Sequence, residues 1–111
     1  MIKGNSALKS KLEPYIGLPN FISSVSVFEL FLRKTNIKEV EDFIAGIEII
    51  PVDGRTAKKA SELSKEMQRL GFTIDFKDLF IASTCILNNV SLATFNKKHF
   101  QNIKELRLLE I

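Results

Sequence analysis

Apolar positions along the chain fall into helical and strand-like runs. In "DGRTAKKASELSKEMQRLG" the apolar residues Ala57, Ala60, Leu63, Met67 and Leu70 keep the three-and-four spacing of one helical face, and Gly71 ends the pattern. "DLFIASTCILNN" is apolar on nearly every side, which predicts a helix buried on most of its surface. "SVFELFLRKTN" sets Val27, Leu30 and Phe31 on one face, with Ser26 or Ser24 as the N-cap. "IKEVEDFIAG" does the same with Ile37, Val40, Phe43 and Ile44, and Gly46 stands where a helix stops. "GNSALKSKLEP" reads as a short helix, capped by Asn5 or Ser6 and ended by Pro14. The short runs "FISSV", "IEIIPV", "VSLATFN" and "LRLLEI" predict strands, and "KKHFQNI" a turn or short helix.

The predicted order is α, β, α, α, β, α, α, β, short α, β. Alternating strands and helices indicate an α/β fold, a parallel sheet covered by helices. Functional residues in such sheets collect where strands end and the next helices begin. Two features are unusual for this class. The chain opens on a helix, and only four strands are predicted, whereas sheets of this kind normally begin with a strand, often a central one.

Composition narrows the picture. With 111 residues, 45% of them hydrophobic and 26% charged, one domain over residues 1–111 with a real core is expected. A net charge of +3 is compatible with a nucleic-acid partner, but the basic residues are spread out and form no block. The single cysteine, Cys85, excludes an internal disulfide and sits inside an apolar helix pattern, as a small buried hydrophobe does. No signal-peptide core and no run of membrane-spanning length is visible, so a cytoplasmic protein without a membrane partner is expected.

The polar residues at the predicted strand-to-helix junctions are acidic or amide. Glu29 falls in the first turn after "FISSV". Asp78 falls in the first turn of the apolar helix, with Asp75 as its N-cap. Asn96 follows "VSLATF". These are oxygen ligands of the kind that Mg²⁺ or Mn²⁺ takes, and such an ion activates water and neutralises phosphate charge. Each residue also has a local explanation. Glu29 complements a helix dipole, Asp75 and Asp78 are an N-cap and an N3 acid, and Asn96 suits a turn. Only their joint position at one sheet edge favours a metal site. His99 is the lone histidine, with no partner near it in sequence, so a surface or loop role is expected. No Gly-rich phosphate loop and no zinc set of Cys and His is present.

At these residues the chain resembles the PIN domain, specifically the VapC-type toxin ribonucleases. "FISSVSVFELFLR" is similar to that family's second strand and following helix. "IEIIPVDGRTAKKASEL" is similar to its third strand and long helix. "IDFKDLFIAS" is similar to its D-x-x-D-L-x-I-A segment, and "SLATFNKKHF" to the late strand with its T-x-N-x-x-x-F ending. The resemblance runs from about Asn5 to Ile111 and implies a three-layer α/β/α sandwich with metal-dependent RNA cleavage. It makes Glu29, Asp78 and Asn96 the catalytic and metal-binding residues, Asp75 an auxiliary acid and Thr94 a support at the end of its strand. It implies Mg²⁺ or Mn²⁺ as cofactor, an RNA substrate, a cognate antitoxin and a homodimer. The family opens with a strand ending in a metal-binding Asp, and "MIKGNSALKSKLEP" resembles the segment just after it, so a domain without its first, central strand is expected.

Other readings compete with the enzyme. A non-catalytic PIN-like module binding protein or RNA suits the absent Asp. Phe28, Phe31, Leu32 and Phe43 exceed what one helix side needs, and form either core or a dimer or antitoxin surface. Lys97, Lys98 and Arg33 are candidates to meet an RNA backbone, or are solvated surface. A receiver-like phosphoacceptor needs a strand-ending Asp. Only Asp53 comes near that place, and it precedes Gly54 as in a turn.

Overall fold

The computed structural model describes residues 21–94 and 96–109. The predicted helix in "GNSALKSKLEP", and with it the expectation about the opening strand, lies outside these residues. The elements in order are β1 (Phe21–Ser23), α1 (Ser24–Phe31), α2 (Ile37–Ala45), β2 (Glu48–Ile50), α3 (Gly54–Leu70), α4 (Phe76–Leu87) and α5 (Lys97–Phe100).

Pairing is parallel, as the alternation of elements predicts. β1 lies beside β2 with Ile22 opposite Ile49. Just past the last pair, Ser23 with Ile50, the Val52 N–H donates to Ser24 Oγ at 3.0 Å, so a side chain prolongs the contact into the first turn of α1. Among the described residues, the last two predicted strands meet in one parallel bridge, between Leu92 and Leu108. The Leu92 N–H donates to Arg107 O and the Leu109 N–H to Leu92 O, both at 2.8 Å. Beyond it, Thr94 Oγ1 accepts the Asn96 N–H at 3.0 Å.

The helix α1 starts earlier than its sequence suggests. Ser23, the last residue of β1, is the N-cap, and its Oγ accepts the Ser26 N–H at 3.0 Å. Neither Ser24 nor Ser26 caps. Strand passes into helix without a loop, so Glu29 stands in the second turn of α1 and not in the first.

α3 begins at Asp53, whose Oδ1 accepts both the Thr56 N–H and its hydroxyl at 3.0 Å. It ends at Gly71, where φ is +85°, a left-handed conformation that a side chain would strain. The Phe72 N–H closes that end on Met67 O at 2.8 Å. Of the predicted face, Ala60, Leu63 and Met67 are buried, joined by Thr56, while Ala57 and Leu70 lie exposed.

α3 packs on α4, and the two supply most of the core. α4 buries Leu79, Ile81, Ala82 and Cys85, and Leu92, Phe100, Ile103 and Leu106 complete the cluster. Its buried hydroxyls are satisfied locally. Ser83 donates to Leu79 O at 2.7 Å and Thr84 to Phe80 O at 2.8 Å, so they cost little inside the core. Arg107 ties the closing segment to the end of α4 through Asn89 O and Oδ1, at 3.0 and 2.9 Å. Among the described residues, no helix is long and apolar enough to cross a membrane.

Candidate active site at the start of helix α4

The start of α4 is polar on an otherwise apolar helix. Asp75 is its N-cap, and its Oδ1 accepts the Lys77 N–H at 2.7 Å. The residue is exposed, and this bond accounts for its place. Asp78, three residues later, is buried in the first turn, where the unpaired N–H groups of a helix favour negative charge.

Asp78 has a partner that the sequence did not announce. His99 Nδ1 lies 3.2 Å from Asp78 Oδ2. The carboxylate side chain is 13% exposed and the imidazole 59%. The expectation that nothing pairs with His99 is therefore corrected. The partner is 21 residues away in sequence, brought there by packing of α5 on α4, so no local spacing reveals it. The neighbouring Phe100 is the anchor, buried in the core cluster, and the His99 N–H donates to Asn96 O at 3.0 Å.

Asn96 stands at the N-cap position of α5, exposed, and its side chain makes no capping bond. Thr94 supports it from beneath, buried, through the hydroxyl that holds the Asn96 N–H. Glu29 lies on α1, which also packs against α4, and its Oε1 is shielded from solvent.

A divalent ion needs several of these oxygens at one point. Among the described residues, no three of His, Cys, Asp and Glu stand together as a group able to hold an ion. Asp75 uses one carboxylate oxygen, Oδ1, in its cap, and Glu29 stands in the second turn of α1. The described residues bring Asp78 and His99 together at the start of α4.

Cys85 plays no part here. It is fully buried in the core, and burial pushes its thiol up to about 11. Lys98 and Arg33 are exposed, and Lys97 half-buried.

The family model of the PIN domain matches residues 11–106. The chain is 39% identical over 61 residues to Ribonuclease VapC1 of Methanocaldococcus jannaschii, a match covering 55% of this chain and 45% of that protein. It is 30% identical over 91 residues to Ribonuclease VapC10 of Mycobacterium tuberculosis, covering 80% of this chain and 68% of that protein. The match thus spans less than half of the archaeal relative's length. Among solved structures, a chain of VapBC2 from Rickettsia felis bound to a DNA fragment from their promoter superposes with a TM-score of 0.79 at 26% identity, covering 95% of this chain and 85% of that one. The parallel α/β architecture, the sequence matches and the PIN-domain model agree: the chain belongs to the PIN-domain family, and within it to the VapC type.

Proposed function

We propose that the protein is a divalent-metal-dependent ribonuclease of the toxin–antitoxin type, which hydrolyses RNA phosphodiester bonds in the cytoplasm. The observation that carries this reading is Asp78, a nearly buried carboxylate at a helix N-terminus, clasped by an exposed histidine in a VapC-type chain. Apart from His99, the site residues of the proposal are those of the sequence: Glu29, Asp78 and Asn96, with Asp75 as auxiliary.

What this chain's own side chains supply is binding and orientation. The helix N-terminus keeps negative charge favourable at Asp78, and its short reach to solvent lets it accept a hydrogen bond from a water or a ribose hydroxyl. Lys98 and Arg33 offer sequence-blind contacts to phosphates. Mg²⁺ or Mn²⁺, when bound, supplies Lewis acidity. Glu29, Asp78 and Asn96 are the residues that would hold it, with Asp75 as auxiliary. The proposed partners are a cognate antitoxin and a second copy of the chain. That the neighbouring structure is a VapBC complex supports the first.

The test is cleavage of a labelled RNA by the purified chain with Mg²⁺ or Mn²⁺, and with a chelator. The expected outcome is chelator-sensitive cleavage that falls about 100-fold or more in Asp78→Asn, a loss of the size seen when a key electrostatic group is removed. Intact RNA with either ion, or cleavage indifferent to Asp78→Asn, overturns the proposal. A second reading, a non-catalytic module that binds RNA or protein, is favoured by the lack of a three-member donor group among the described residues. RNA binding without cleavage decides for it.

A further inference from the structure

We infer that His99 is a positioning residue, which fixes the plane of the Asp78 carboxylate for its work on RNA; the inference rests on the ribonuclease reading above. A carboxylate turns easily about its last torsion, which has only broad, roughly two-fold preferences. An Asp that must present one oxygen to a substrate, a water or an ion therefore needs an outside group to hold the other. The structure gives Asp78 Oδ2 that group in His99 Nδ1 at 3.2 Å.

The histidine is itself held. Phe100 anchors α5 in the core, the His99 N–H donates to Asn96 O at 3.0 Å, and the Gln101 N–H closes the turn on Lys97 O at 2.9 Å. Thr94 fixes the entry to this turn through the Asn96 N–H. A buried residue on one side and a capped turn on the other thus place an exposed ring against a nearly buried carboxylate. The contact needs a proton on Nδ1, which imidazolium and one neutral tautomer both carry, so it does not depend on the charge of the ring.

The two members differ in exposure, 59% for His99 against 13% for Asp78, which separates this role from a structural one. An ion pair with so exposed a member adds little to stability. Loss of His99 is therefore felt at Asp78 and not in the fold. An asparagine at this place offers an amide N–H near the position of Nδ1 and keeps the bond.

His99 is the single histidine of the chain, so one imidazole spin system reports on it without ambiguity. Nitrogen-15 imidazole spectra of the full chain are expected to show a protonated Nδ1 whose resonance moves in Asp78→Asn. In RNA cleavage, His99→Ala is expected to lower kcat by about 10- to 100-fold with KM nearly unchanged, the size of effect a misplaced group produces. His99→Asn is expected to restore most of the rate, and both variants to melt close to the parent chain. An unchanged kcat in His99→Ala, or equal losses in His99→Ala and His99→Asn, overturns the inference. If the parent chain cleaves no RNA, the ribonuclease reading falls, and the spectra decide the contact alone: an imidazole indifferent to Asp78→Asn overturns it.

Discussion

The α3–α4 side of the molecule buries most of its large apolar residues, and the α1–α2 side leaves several of its own open. On α3 and α4 the helical stripe finds its cover, except at Leu70 and Phe76 where the two helices end and begin. Leu63, Met67, Leu79, Ile81 and Cys85 all disappear into one cluster. On α1 and α2, Phe28 and Leu32 remain 56% and 58% exposed, and Phe31 and Phe43 lie open as well. Periodicity tells that a helix has an apolar face, not what covers it. Of the two readings that the sequence allowed for these four residues, core is excluded. An apolar patch on two adjoining helices is the common mark of an interaction surface, in keeping with the proposed antitoxin or dimer partner.

The strongest way to break the contrast is truncation on both sides. Leu63→Ala or Ile81→Ala is expected to cost about 2–5 kcal/mol, because each leaves a cavity among buried neighbours. Leu32→Ala or Phe28→Ala is expected to change stability by roughly 0.5 kcal/mol or less, as open surface substitutions do. Urea unfolding of the purified chain measures both. Equal costs on the two sides would mean that the α1–α2 face is packed in solution.

The same division marks what sequence reading reached. The helices α3 and α4 and their buried residues were legible, because long amphipathic or wholly apolar runs carry their own signature. So was the parallel α/β class, from the order of elements. The extent of pairing at the end of the chain was not. "VSLATFN" and "LRLLEI" do pair in parallel, but among the described residues they meet only in the bridge of Leu92 with Leu108. The start of α1 was misplaced because three serines compete for the cap and only geometry selects Ser23. In the site, Asp75 and Asp78 were readable as helix-start residues. The pairing of Asp78 with His99 was not, since it depends on how α5 docks on α4. The segment "KKHF" offered only the buried Phe100 as a hint that its neighbour would be held in place.

A smaller effect sharpens the packed side. Cys85 is expected to resist alkylation at neutral pH until the chain unfolds, since burial keeps its thiol protonated to about 11. Cys85→Ser is expected to cost only about 1 kcal/mol, because its hydroxyl can donate to the carbonyl one turn back, as those of Ser83 and Thr84 do. The pH dependence has a definite sign. The folded thiol titrates above its unfolded value of about 8.5. Its contribution is full below that value and is lost as pH rises toward 11. Rapid labelling of the native protein would show that the core on this side opens.

The smallest effect belongs to the cap of α3, at the rim of the same packed side. Hydrogen bonds from the Thr56 N–H and hydroxyl hold the Asp53 carboxyl below its ordinary value. The folded pKa is depressed, so its contribution is present above the unfolded value near 3.9 and is lost as pH falls through the folded one. Asp53→Asn keeps a good N-cap but cannot titrate. Thermal melts of the two proteins are therefore expected to run together near neutrality, and the parent to fall relative to Asp53→Asn as pH drops through its folded carboxyl value. Asp53→Ala, which loses the cap itself, is expected to melt lower at every pH. Because α3 is held along its length by Leu63 and Met67, even that loss is expected to fray the first turn without releasing the helix from α4. Amide exchange that accelerates along the whole of α3 in Asp53→Ala would place the stability of this side in its cap and not in its packing.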